Sequence, residues 1–323
     1  MCTNSLADLG LESSVPIEDL NVYLGHEFDS VKSKSHRSIN AIRQSLTGKS
    51  NGPRTLIANS LDSTRDTIFR RLASIPSSPA SRLWIPEASL DKWPEMLWRS
   101  LDRKSVALGP SVDIFNSHVL TRLKHSEYIK ILVPSLWVKE LFVNHHGLPG
   151  SRVFIWPAGI DHEYWNPAPS SNSRYLLLYR KTGLAERELS AVSEFAKKLQ
   201  LELKIISYGD YKIKQFRNLL KHTGGLVWAG STESQGLAQF ESWGMNVPTL
   251  IRRARNFDNL GIGSESPYLT NQTGLATRED FITKADLEAF SEMMPSFRPR
   301  DWILQNATLG IARSQLLSIF DAE

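Results

Sequence analysis

The second half of the chain restricts its fold most. Short, unbroken apolar runs there alternate with segments of helical spacing. "RYLLLYRK" precedes "AERELSAVSEFAKKLQ", where Leu189, Val192, Phe195 and Leu199 share one face. "LELKIISYG" precedes "YKIKQFRNLLKH", and "GGLVWAG" precedes "ESQGLAQFE" and then "VPTLIRR". A strand that is apolar at every position is covered on both faces, and helices supply that cover in a parallel sheet. The pattern predicts an α/β fold.

The first half repeats the pattern less sharply. "NVYLG", "RTLIANS", "SRLWIPE", "KSVALG", "IKILV" and "RVFIWPAGID" read as strands. "HRSINAIRQSL" has helical spacing, and Thr64 is placed to cap a helix carrying Ile68, Leu72 and Ile75. Ser135 is placed to cap another, with Trp137, Leu141 and Phe142. At roughly 100–200 residues per domain, 323 residues predict two. The Pro-, Ser- and Asn-rich stretch Asn166–Ser173 is the expected linker. The expected organisation is an N-terminal unit over 1–165, a second over 166–300, and one or two helices over 301–323 that cross back to the first.

Several classes are excluded. No apolar run approaches the roughly 20 residues of a membrane-spanning helix, and the N-terminus lacks a signal-peptide pattern. The single cysteine, Cys2, suits a reducing, cytoplasmic location. The net charge of +4 is compatible with an anionic small ligand or a peripheral contact at an acidic inner membrane face. Without a basic cluster it does not indicate nucleic acid, and "IRRAR" reads as a solvated face. Gly-x-Gly-x-x-Gly is missing, which argues against a dehydrogenase. The eight histidines show no metal-ligand spacing, and His145-His146 read as a helix C-terminus. Asp161–Glu163 reads as hinge structure, and Trp84, Trp137, Trp156 and Trp228 as core.

Ligands of open parallel sheets bind beyond the carboxyl ends of the strands. Three loops there carry chemistry: Arg180-Lys181, Tyr208-Gly209 and "STESQG". The first amides of a helix are unpartnered and carry partial positive charge, and Gly236 has no Cβ to hold a ligand off. With Arg180 and Lys181 opposite, that combination suits a diphosphate. Glu241, inside the helix, is placed to accept ribose hydroxyls. Glu233 precedes the turn and suits a neutral hydroxylated group or a developing cation.

"ESQGLAQFESWGMNVPT" resembles the Glu–seven residues–Glu motif of retaining, family-four (glycosyl transferases group 1) glycosyltransferases. "VPSLWVKELFVNHHGLPGSRVFIWPAGIDHEYWNP" resembles the segment that closes their N-terminal domain. The resemblance spans about 128–310. It implies the GT-B fold, with two Rossmann-like domains whose parallel sheets face each other across a cleft, here with a small or atypical N-terminal domain. It implies no permanently bound cofactor. The donor would be a nucleotide diphosphate sugar of unassigned base and the acceptor a hydroxyl compound, as in polysaccharide or glycoconjugate synthesis. Glu233 would then meet the donor sugar and Glu241 the ribose. Ser234 and the amides of Gln235, Gly236 and Leu237 would hold phosphates, and Arg180 or Lys181 would neutralise the leaving group. Tyr208-Gly209 would lie near the base. The chain lacks the metal-binding Asp-x-Asp triplet of the other large glycosyltransferase fold, so catalysis is expected to be metal-independent.

On the acceptor side, His118 and the stretch Asn59–Thr67, with Asn59 and Asp62, are the polar candidates. Trp93 and Trp98 are candidates for an exposed surface. The family's Gly-Gly loop has no counterpart near the N-terminus, where Gly25 is single. That feature motivates the alternative of a catalytically silent nucleotide- or glycan-binding module.

Overall fold

The computed structural model describes residues 55–57, 82–85, 105–110, 117–167, 173–253 and 263–322. They form two fully parallel sheets. The first holds β1 (Thr55–Ile57), β2 (Arg82–Ile85), β3 (Ser105–Leu108), β4 (Ile129–Val133) and β5 (Val153–Ile155) side by side in chain order. The second holds β6 (Tyr175–Arg180), β7 (Glu202–Ser207), β8 (Thr223–Ala229), β9 (Thr249–Ile251) and β10 (Gly274–Ala276), in the order β10-β9-β8-β6-β7.

The apolar strands of the second sheet are buried on both faces because successive side chains alternate. Leu176, Leu178, Val227, Ala229 and Leu250 pack on Val192 and Phe195 of α3 (Glu186–Lys198) and on Leu287 and Phe290 of α6 (Lys284–Met293). Leu177, Tyr179, Leu226, Trp228 and Ile251 take the other face. There they meet Phe216 and Leu220 of α4 (Ile213–Leu220), Phe240 and Trp243 of α5 (Leu237–Gly244), and Ile303 of α7 (Pro299–Asn306). Each large side chain so buried contributes about 1.5–3 kcal/mol, so these two faces dominate the stability of the second unit. Leu189 and Leu199, expected to point inward, are half-buried and flank the α3 contact.

The first sheet carries α1 (Ser117–His125) and α2 (Leu136–Glu140), which continues as a π-helical turn through His145. Ser135 precedes α2, but its hydroxyl makes no capping bond. Burial, helped by His145 and Lys124, lowers the pKa of His146. His145 ends this helical turn and His146 caps it, as expected, and the half-buried His146 ring is set edge-on to Phe142.

The last helix, α8 (Leu309–Asp321), lies on the first sheet. Its Ala312, Leu316, Ile319 and Phe320 join Trp84, Ala107, Leu132 and Trp156. Lys130 Nζ donates to the carbonyls of Ile319 at 2.7 Å and Phe320 at 3.1 Å, and also to that of Ala322. A cation is well placed at a helix C-terminus. The two crossings of the chain meet at Ile160 and Thr308, where Ile160 N–H donates to Ala307 O at 2.9 Å. Only glycine fits at 159, because a Cβ there would stand 2.4 Å from Thr308 O.

α1, β10 and α6 were not anticipated from the sequence. The expected elements at 21–25, 36–46 and 64–75 lie outside the described residues.

Candidate functional site

Where strand order reverses in a parallel sheet, the flanking loops part and leave a crevice at the strands' carboxyl ends. Here the reversal lies between β6 and β8. Lys181 follows β6 and Glu233 follows β8, and they meet: Lys181 Nζ is 2.7 Å from Glu233 Oε1. Both are mostly buried, with 25% and 12% of their side chains exposed. Lys181 Nζ also stands 5.0 Å from the ring centre of Tyr208, at the end of β7. Tyr208 is 59% exposed, and Gly209 closes its turn at φ +89°.

Tyr179 lies beneath this group, stacked on Trp228 with ring centres 4.2 Å apart. Its hydroxyl is 2.9 Å from that of Tyr211. Burial raises its pKa, and Glu233, Glu241 and Tyr208 raise it further. Glu241, in the middle of α5, is buried.

Arg180 is the last residue of β6 and Lys181 the first of the loop after it, and their side chains part. Arg180 is exposed and donates from Nη2 to Oγ of Ser207, its strand partner, at 3.2 Å. The structure brings Lys181, and not Arg180, to Glu233.

Gly236 begins α5 at φ +83°, and no side chain caps the helix start. A Cβ at 236 would stand 2.5 Å from Gln239 Oε1. The glycine is thus required by its left-handed backbone and by Gln239. Gln239 in turn accepts from Ser266 Oγ at 2.7 Å and donates to Glu265 O at 2.8 Å. Ser234 and Leu237 flank the turn half-buried.

The neighbouring Gln235 faces the first unit. Its Oε1 accepts from Ala158 N–H at 2.9 Å, and its Nε2 donates to Ala158 O at 2.6 Å. Trp137 Nε1 donates to Glu233 O at 3.0 Å, and Tyr268 OH to Pro134 O at 2.6 Å. The first unit therefore fixes the backbone on which Glu233 stands. At the far end of α5, Arg300 Nη1 donates to Gly244 O at 2.6 Å and Trp165 O at 2.9 Å.

On the acceptor side, His118 falls in the first turn of α1, with its side chain outside what is described. Asn59, Asp62, Trp93 and Trp98 lie outside the described residues. Trp84, Trp156 and Trp228 are buried, whereas Trp137 is only half-buried. Asp161 Oδ1 accepts from the amides of Glu163 and Tyr164 at 3.1 and 3.0 Å, which makes it a turn residue. Among the described residues, no group of three or more His, Cys, Asp or Glu is placed to hold a metal. None of their helices is long and apolar enough to cross a membrane.

Sequence reading missed Tyr179, the contact from Trp137, and Arg252. The first had a signal: a phenol in an otherwise aliphatic strand needs a buried partner. Arg252, taken for a solvated residue, is largely buried; its side chain is 12% exposed.

No protein-family model matches the chain, and no curated protein matches it in sequence. Solved structures do match. Anabaena Alr3699/HepE, in complex with UDP and glucose, superposes with TM-score 0.53 at 9% identity, over 91% of this chain and 97% of that one. TarM matches with TM-score 0.49 at 11% identity, over 76% of this chain, which spans 56% of TarM's length. A glycosyltransferase from Rickettsia africae ESF-5 matches with TM-score 0.47 at 14% identity, over 92% of this chain and 82% of that one. The likeness to HepE is one of fold. The chain has the GT-B architecture of two Rossmann-like α/β units with parallel sheets.

Proposed function

We propose that this protein is a retaining glycosyltransferase that moves a hexose from a nucleotide diphosphate sugar to an acceptor hydroxyl. The observation that carries the reading is the meeting of Lys181 and Glu233 at the strand reversal, beside the uncapped start of α5, the helix in which Glu241 is buried. A fold neighbour solved with UDP and glucose supports it.

In this reading the diphosphate lies against the α5 amides and Lys181, and Glu241 accepts from the ribose hydroxyls. Lys181 exchanges its Glu233 partner for phosphate. The released Glu233 carboxylate then faces the sugar, where positive charge develops as the bond from C1 to the phosphate oxygen breaks. The acceptor oxygen bonds to C1 on the same face, and its proton passes to the leaving phosphate oxygen. Lys181 and the helix start supply the positive charge that the leaving group needs, so turnover is expected to persist in EDTA. The acceptor side falls to the first unit, and a glycan or glycoconjugate acceptor fits the reading.

The test is a panel of UDP-, GDP- and ADP-hexoses, assayed for hydrolysis and for transfer. Turnover with at least one donor, lost in Glu233→Gln, is the expected result. No turnover and no donor-dependent rise in melting temperature would refute it. A binding module without catalysis is the second reading, favoured by the carboxylate of Glu233 being already engaged by Lys181. It predicts a donor that binds and is never consumed.

A further inference from the structure

We propose that Arg252 is a positioning residue for the donor diphosphate, acting through the loop that carries Lys181. The inference rests on the assignment of Lys181 to the diphosphate.

Arg252 follows β9, which β8 separates from β6. Its own amide donates to Trp228 O at 2.9 Å, so its backbone is anchored to β8. Its side chain reaches over the end of β8 to the loop after β6. There Nη2 donates to Thr182 Oγ1 at 2.6 Å and Nη1 to Gly183 O at 3.0 Å. These are the two residues immediately after Lys181.

Nη1 also lies 3.6 Å from Glu188 Oε2. Glu188 is 4% exposed and is itself held rigidly. Its Oε2 accepts from Ala185 N–H at 3.0 Å, and its Oε1 accepts from Ile282 N–H at 3.0 Å. A buried carboxylate fixed by two amides neutralises the guanidinium and sets its direction. The planar fork then sets the loop, because a guanidinium binds two acceptors in one geometry and an ammonium does not. The amides of Lys181 and Thr182 both donate to Ala229 O, at 2.9 and 3.1 Å, which ties the same loop to β8. With both ties in place, Lys181 Nζ is delivered to the crevice at Glu233. With Arg252 lost, the loop keeps its backbone tie and loses the clamp that orients it.

The experiment is a double-mutant cycle read by calorimetric titration with UDP, GDP and ADP. The variants are Arg252→Lys, Lys181→Met and the pair, each with a thermal melt. Arg252→Lys is expected to weaken the bound nucleotide about fivefold to tenfold in the wild-type background and hardly at all once Lys181 is gone, since residues acting through one contact are non-additive. Thr182→Val removes one acceptor and spares the Arg252–Glu188 pair, so it reports on the clamp even if Arg252→Lys fails to fold. It is expected to weaken binding about twofold to fivefold. Equal weakening by Arg252→Lys with and without Lys181, or unchanged affinity in both Arg252→Lys and Thr182→Val, would overturn the proposal alone. If no nucleotide binds, or Lys181→Met binds as tightly as wild type, the assignment of Lys181 falls, and the proposal with it.

Discussion

The carboxyl edges of the two sheets make an instructive pair. In the first, the described strands follow chain order, and the edge after β4 presents Pro134, Ser135, the exposed Leu136 and Trp137. In the second, the order reverses between β6 and β8, and the edge carries Lys181, Glu233 and Arg252. Charge collects at the reversal. The sequential edge makes neutral hydrogen bonds instead: Trp137 donates to Glu233 O, and Pro134 O accepts from Tyr268 of the second unit. One edge carries the candidate site; the other hydrogen-bonds to its backbone.

The largest expected effect breaks the comparison at its charged side. Glu233→Gln is expected to lower turnover about 10²–10³-fold, the usual cost of losing one preorganised electrostatic group. UDP is expected to bind a few-fold more tightly, because Lys181 no longer has a competing carboxylate. A variant that loses turnover and UDP affinity together would show Glu233 to be structural. Glu241→Gln comes next. It is expected to weaken UDP about tenfold and inorganic pyrophosphate hardly at all, since only UDP carries the ribose hydroxyls. Equal losses for both probes would remove Glu241 from the ribose.

The neutral edge gives a smaller effect. Trp137→Phe deletes one N–H donor at the unit boundary. It is expected to lower stability by about 1 kcal/mol and turnover a few-fold, with UDP affinity kept. An unchanged melt and rate would show that the first unit does not hold Glu233 in place. The smallest effect is one of pH. Burial, then Glu233, Glu241 and Tyr208, raise the pKa of Tyr179 above its ordinary 10.0. The unfolded phenol ionises first, so the stability tied to Tyr179 is complete below about pH 10 and is lost as the pH rises further. Tyr179→Phe is expected to flatten the fall in melting temperature above pH 10; an unchanged slope would place the titration elsewhere.

The sequence made the strands and helices of the second unit legible because their periodicities differ sharply. "LVWAG" into "LAQFESWG" is one example. It also marked the chemical candidates, since strand ends are visible wherever apolar runs stop. The three residues of β10 are too few for any period to show. α6 did carry a signal, the Thr283–Asp286 capping box, in which each side chain accepts from the other's amide, at 3.1 and 3.0 Å. Choosing Lys181 over Arg180 required knowing where β6 ends, because Arg180 is its last residue and Lys181 the first of the loop after it. Gly236 was legible as a helix start, but the demand for it comes from a left-handed φ of +83°, which the sequence does not show. The links Gln235–Ala158 and Arg252–Glu188 span 77 and 64 residues, and no local pattern encodes them.

The proposed function requires a diphosphate at the carboxyl ends of β6 and β8. The most direct measurement is a crystal structure of the protein grown with the nucleotide diphosphate that binds best in titration. It is predicted to show phosphate oxygens within about 3 Å of Lys181 Nζ and of the first α5 amides, with Glu241 on the ribose. A nucleotide bound away from this crevice, with the Lys181–Glu233 pair intact, would contradict it.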